Sequence, residues 1–242
     1  MISFDDKLKC FVSSSNKILK GIRSVLQKTF YPHYDFRLCI YDTCGTASKV
    51  HSQTTSLTKK RAKAWTSQGG MKVGTCTDNQ IKQSIVQYIT QQRSSTYMYT
   101  HSRGYLRTFW KAMSHLNLSP IGAQVVVGSE SMGIATACDV VCYHRDTKQY
   151  CVIEVKTGGS SYYFKCSKVG MNVPFNGQTD CVYNQHQLQL WLTTHLYQLT
   201  YPTHQVMGSV LLRLFPEGFE TYPLEPWITK HAQQALCTIC KQ

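Results

Sequence analysis

The chain has 242 residues with 26 Lys+Arg against 13 Asp+Glu, a formal charge of +13, and 42% hydrophobic and 12% aromatic content. That length and apolar share suffice to close a core, which excludes intrinsic disorder and collagen-like repeats. No run approaches the roughly 18 apolar residues of a spanning helix, and Met1-Ile2-Ser3-Phe4-Asp5-Asp6 lacks a basic segment followed by an apolar one, so the expectation is a soluble protein that neither enters a membrane nor carries an evident secretion signal.

Along the chain, residues 4 to 30 contain a helical pattern, with Ile18, Ile22, Val25 and Leu26 at spacings of three and four. Residues 31 to 70 read as short apolar pieces and Ser/Thr-rich loop. Together, residues 1–70 are expected to be a basic, helical and loop extension packed on a core of residues 71–242. The segment 43–129 holds eleven Lys/Arg and a single carboxylate, Asp78. Such a field favours a polyanionic partner, since neutralising phosphates releases counterions and steers association. The candidate phosphate contacts are Lys59, Lys60, Arg61, Lys63, Arg93, Arg103 and Arg107. The run from Lys59 to Lys63 reads equally as a nuclear-import address or a solvated loop.

A second helix is expected near 77–92, with Asp78 in its first turn and Ile81, Ile85, Tyr88 and Ile89 on one face. A third follows near 102–116, closed by Ser119-Pro120. Tyr97, Tyr99, Tyr105, Phe109 and Trp110, interleaved with arginines, read as core residues at helical spacing more readily than as base-stacking groups. The period then changes to that of strands at 123–128, 136–143 and 150–156, with the last two joined as a hairpin by His144-Arg145-Asp146-Thr147-Lys148. Residues 157–180 look like a long surface loop. A helix at about 182–199, a strand at 205–215 and a helix starting at Pro226 complete the order. The pattern predicts an α/β (α+β) protein whose central mixed sheet is flanked by helices.

The hairpin carries the chemistry. Asp139 sits in Ala-Cys-Asp-Val-Val-Cys and Glu154 with Lys156 in Val-Ile-Glu-Val-Lys. Side chains alternate along a strand, so Glu154 and Lys156 share a face while Val155 points the other way, and the adjacent strand can bring Asp139 beside them. Carboxylates gathered on one sheet face repel unless a cation resolves the conflict. Mg²⁺, with Mn²⁺ as a substitute, suits a site of Asp139, Glu154, the backbone carbonyl of Val155, water and substrate phosphate. Lys156 would then orient or deprotonate a water, or stabilise developing charge. A plain surface ion pair of Glu154 with Lys156 is the bland alternative.

These residues resemble the PD-(D/E)XK nuclease superfamily, and within it the phage lambda exonuclease and viral alkaline exonuclease group. Further matches are Gly74-Thr-Cys-Thr-Asp78, similar to the family's Gly-x-x-x-Glu helix start, and Glu130-Ser131-Met132 followed by Thr136-Ala137-Cys138-Asp139. Gln185-His-Gln187-Leu-Gln189-Leu-Trp191 resembles the family's Gln-x-Gln helix. The resemblance implies a restriction-endonuclease-like core, a metal-dependent deoxyribonuclease, and Asp78 as a further metal ligand where the family has Glu. It also implies a glutamine from 185 to 189 at the catalytic centre, with Gln185 and Gln187 as the favoured candidates. It allows a single-strand annealing partner and a homo-oligomer. An endonuclease acting on DNA or RNA, and a non-catalytic binding module, are the competing readings.

Glu130 reads as a turn residue before it reads as a fourth acid. Eleven cysteines, odd in number and dispersed, do not form a disulfide scaffold and point to a reducing compartment, cytoplasm or nucleus. Cys237-x-x-Cys240 lacks nearby partners for zinc or an iron–sulfur cluster.

Overall fold

The computed structural model describes residues 1–6, 8, 10–31, 70–157 and 170–241. Three short strands open the chain: β1 (Ile2–Asp5), β2 (Cys10–Ser13) and β3 (Ile18–Gly21), followed by helix α1 (Ile22–Phe30). Helices α2 (Gly70–Thr90), α3 (Ser95–His101) and α4 (Gly104–His115) precede the long strands β4 (Leu118–Ser129), β5 (Ile134–His144) and β6 (Tyr150–Thr157). Then come α5 (Val182–Thr200), β7 (Val206–Leu214), β8 (Phe219–Pro223) and α6 (Pro226–Cys240). The eight strands among the described residues join one mixed sheet, ordered β1-β2-β3-β5-β6-β7-β8 with β4 paired to β5. The expected α/β class with a mixed sheet between helices therefore holds.

Alternation along the strands sorts the core into two layers. On β6, Val152 faces the layer built with α1, α5 and α6, whereas Ile153 and Val155 face the layer built with α2, α3 and α4. Each such fully buried aliphatic side chain contributes on the order of 1.5–3 kcal/mol. Phe109 and Trp110 lie wholly inside the second layer, as their helical spacing predicts.

Several expectations are corrected. Of the helical pattern read into residues 4–30 only Ile22–Phe30 is helix, and the strands β1–β3 ahead of it extend the sheet. Ile18, counted into the apolar stripe, is 65% exposed, while its neighbour Leu19 is buried. Four-residue strands are too short to display a period of two, and an adjoining amphipathic helix masks them. The second helix begins at Gly70, so Asp78 lies in its third turn rather than its first. The third holds as α4, Gly104–His115, and a short helix that was not expected, α3, precedes it; the two are separated at Ser102-Arg103 before Gly104, whose φ of +53° is one that glycine adopts without strain. Ser119 and Pro120 are already inside β4. Of the supposed loop at 157–180, residues 158–169 lie outside the described residues. The part from 170 is irregular backbone, as expected of a loop, but it anchors in the core: Met171 and Phe175 are buried, and Phe175 packs edge-on against Phe30 and Trp227.

The sheet forks at β5. One side of β5 pairs with β4 along its whole length. The other side pairs with β3 in parallel at Ile134 and Ala135, then with β6 in antiparallel fashion from Val140 to Tyr143. Between these two partners, residues 136–139 have no strand beside them on that side among the described residues. Beyond Ile153, β6 leaves β5 and continues against β7 alone, through Glu154–Leu211 and Lys156–Arg213. This opening, at the ends of parallel strands, is where α/β sheets form clefts.

Candidate active site

Asp139 and Glu154 flank the fork, one step beyond the last β5–β6 pair, Val140–Ile153. Because β6 has left β5 there, the Val155 N–H has no ladder carbonyl on that side and donates instead to Asp139 Oδ2 at 2.9 Å. Asp139 Oδ1 accepts from Gln124 Nε2 at 3.3 Å. Gln124 sits within β4 with φ +53°, a left-handed conformation rare for a side-chain-bearing residue and often found where backbone geometry serves a site.

Glu154 is 1% exposed. Its Oε1 accepts from Lys156 Nζ in an ion pair and from Gln189 Nε2 at 2.5 Å. Its Oε2 is equally buried and has no hydrogen-bond partner among the described residues. A buried carboxylate oxygen without a donor costs free energy that folding alone does not repay. Burial, and next the charge of Asp139, raise Glu154 well above the ordinary carboxylate range, against the opposing pull of Lys156 and Arg23. The same causes in the same order push Asp78 up to about 6.

Asp78 reaches the fork because α2 crosses the end of β6. Gly74, one turn before Asp78, lies against Thr157 at the end of β6, where a Cβ would meet Thr157 Oγ1 in ordinary van der Waals contact at 3.4 Å. Lys156 lies on β6 beside Arg213 of β7, whose side chain is 2% exposed and ion-paired to Glu220 at 3.3 Å. Arg23, in the first turn of α1, follows directly from the strand pair at Gly21 and contributes positive potential at Asp78 and Glu154. His186, one turn before Gln189 on α5, is driven well below its usual pKa by burial and then by Lys156, Arg23 and Arg213. It therefore faces the site as a neutral imidazole.

The structure thus brings Asp78, Asp139, Glu154 and Lys156 together, with Val155 contributing its backbone N–H. It does not bring the two expected glutamines there. Gln185 donates to Asp180 Oδ1 at 2.7 Å. Gln187 donates to Tyr183 Oη and the Pro223 carbonyl and accepts from the Glu225 N–H. Both stabilise the surroundings of α5, and Gln189 is the glutamine at the carboxylates. Helical spacing sets Gln189 on one face with Gln185 and Leu192, and so did not by itself distinguish it from Gln185. Gln124, Arg23 and His186 lie on β4, α1 and α5, and no local pattern links them to the hairpin. Glu130 accepts from Ser15 Oγ, and its carbonyl accepts from Lys17 Nζ, in the turn between β4 and β5, away from the fork.

Among the described residues no three His, Cys, Asp or Glu side chains form a ready-made metal cluster. Mg²⁺ asks for less, one or two carboxylates with water and substrate oxygens, and the donor-free Oε2 of Glu154 beside Asp139 fits that demand. Of the expected phosphate contacts, Arg93, Arg103 and Arg107 are exposed around α3 and α4, while Lys59, Lys60, Arg61 and Lys63 lie outside the described residues. No helix among the described residues is long and apolar enough to cross a membrane.

No family model matches this chain, and no curated protein is significantly similar to it.

Proposed function

We propose that the chain is a divalent-metal-dependent nuclease of the PD-(D/E)XK kind, built on a restriction-endonuclease-like core, and that it degrades linear double-stranded DNA as an exonuclease. The observation that carries this reading is the fully buried Glu154 with one donor-free oxygen, set between Asp139 and the ion-paired Lys156 at the fork of the sheet. A structural ion pair alone would leave that oxygen uncompensated.

In this reading Asp139 and Glu154 would hold Mg²⁺ or Mn²⁺, with Asp78 assisting. The bound ion would supply charge neutralisation at the phosphate oxygens and an acidified water. The chain's own residues do the positioning. Gln124 and the Val155 N–H fix the Asp139 carboxylate, and Gln189 fixes Glu154 from the opposite side. Lys156 keeps its ammonium at the Glu154 carboxylate, placed to orient the attacking water or offset charge gathering on the phosphate. Arg23 is exposed and adds positive potential at Asp78 and Glu154 that would attract the phosphodiester.

The test compares linear duplex, closed circular duplex, single-stranded DNA and RNA with Mg²⁺ or Mn²⁺, using the unmutated chain, Glu154→Ala and Lys156→Ala. Mononucleotide release from linear but not circular DNA, lost in both variants, supports the exonuclease. Nicking of circles replaces it with an endonuclease. No cleavage of any substrate overturns the hydrolytic reading.

A further inference from the structure

The aromatic stretch after residue 93 divides in two. Phe109 and Trp110 are core, but Tyr97 is 37% exposed and stands inside a column of planar groups on α3. The Arg93 guanidinium lies 4.3 Å from the Tyr97 ring centroid, and the His101 ring stacks on Tyr97 at 4.0 Å with an interplanar angle of 21°. A second pair stands beside it: the Arg107 guanidinium lies 4.9 Å over Tyr99 and donates to its hydroxyl at 3.2 Å.

Tyr97 and His101 stand one turn apart on α3, and Arg93, just before the N-cap Ser94, folds its guanidinium over Tyr97, which sets the three groups in line. Arg93, Tyr97, His101, Arg103, Arg107 and Lys111 are all exposed. No carboxylate occurs between residues 79 and 129. Among the described residues, none of these guanidiniums pairs with an acid, so their positive charge is open to an outside anion. The column is separate from the fork. Arg145, in the β5–β6 turn, donates to Ser95 Oγ at 2.6 Å, which ties the start of α3 to the far end of the hairpin. Five strand residues, about 17 Å, separate that turn from Asp139.

We propose that the α3–α4 face is a binding surface for single-stranded nucleic acid, in which unpaired bases stack on the Arg93–Tyr97–His101 column and Arg103, Arg107 and Lys111 engage the phosphates. Stacked aromatic and guanidinium planes take any base whose face is free, and a duplex hides those faces. An acidic peptide would match the charge but would leave the stacked planes without a partner. The surface is independent of hydrolysis at the fork.

The experiment uses the full chain in EDTA, so that binding is read without cleavage. Fluorescence anisotropy follows a labelled oligothymidylate of about 16 nucleotides, near the upper site size for a stacking platform, and a blunt duplex of equal length. Tyr97→Ala is expected to weaken oligothymidylate binding about tenfold or more, and Tyr97→Phe to retain it within about twofold, as the ring persists. Duplex affinity should stay unchanged in both. His101→Trp, at the end of the column, should show fluorescence quenched by oligothymidylate as bases stack on the indole. Unchanged oligothymidylate affinity in Tyr97→Ala, equal losses on duplex, or displacement of the oligonucleotide by polyglutamate at equal charge would each overturn the proposal. Because no step requires turnover, a chain that binds in this way but cleaves nothing would refute the nuclease reading and leave this one standing.

Discussion

The two faces of the central sheet are built from the same strands and treat charge in opposite ways. On the face toward α2, α3 and α4, β6 presents Ile153 and Val155 to an apolar layer closed by Phe109, Trp110 and Met113. On the face toward α1, α5 and α6 the same strand begins with Val152 and then places Glu154 and Lys156 beside Arg213, under His186 and Gln189 of α5. Alternation permits the contrast within five residues. One face stores the free energy of burial, and the other spends part of it by holding carboxylates away from water. The difference teaches that the acids are tolerated only where the sheet opens, because there backbone N–H groups and side-chain amides are free to reach them.

The largest effect should come from moving the charge to the wrong face. Val155→Asp places an unpaired carboxylate in the apolar layer, and urea unfolding should show a loss on the order of 3–5 kcal/mol. Glu154→Gln, one residue away, should leave the fold intact while cleavage falls by about a hundredfold or more, which a nuclease assay on folded protein checks. A comparable loss of stability in both variants would erase the distinction between the faces.

Next in size is a pH effect. Asp78, raised to about 6, and Glu154, also raised, bind protons more tightly folded than unfolded. The stability they contribute is complete below the unfolded carboxylate pKa, about 4, and is lost as pH rises through the folded values. The metal-free Tm should therefore fall from about pH 5 to about pH 8. Mg²⁺ or Mn²⁺ should raise Tm near pH 8 and leave it unchanged near pH 5, and Glu154→Gln should flatten the slope. Scanning calorimetry across that range decides it, and a Tm that rises with pH would contradict the site's electrostatics.

A smaller contrast separates the glutamines of α5. Gln187→Ala removes hydrogen bonds to Tyr183, Pro223 and Glu225 and should cost about 1–3 kcal/mol of stability, with activity per folded molecule retained. Gln189→Ala should do the reverse, lowering activity about tenfold with little change in unfolding. The smallest effect belongs to Gln124→Gly. Glycine relieves the left-handed φ, so stability should hold or rise by up to about 1 kcal/mol, while the freed Asp139 carboxylate lowers activity several-fold. A parallel drop in stability and activity would make Gln124 a structural residue only.

Legibility followed the range of the contacts. The β5–β6 hairpin, the helix at Val182–Thr200 and the helix beginning at Pro226 were readable because their apolar periods run for many residues and their ends carry turn or proline signals. Strands β1–β3 and β8 were not, being four or five residues long with mixed exposure. Within the site, Asp139, Glu154 and Lys156 could be placed together because one hairpin carries them. Gln185 and Gln187 were chosen over Gln189 because a linear pattern does not reveal the rotation of a helix about its axis over a sheet.

By itself the sequence determined a basic α/β chain with a mixed sheet, and set two acids and a lysine at the end of a hairpin, because strand alternation and turn chemistry are local. Only the tertiary structure decided what surrounds them. The fork between β3 and β6 frees the Val155 N–H, brings Arg23 from residue-distant α1, and aims Gln124 and Gln189 at the two carboxylates. Those contacts join elements that are far apart along the chain, and packing of whole layers, with no signature in any short segment, brings them within hydrogen-bonding reach.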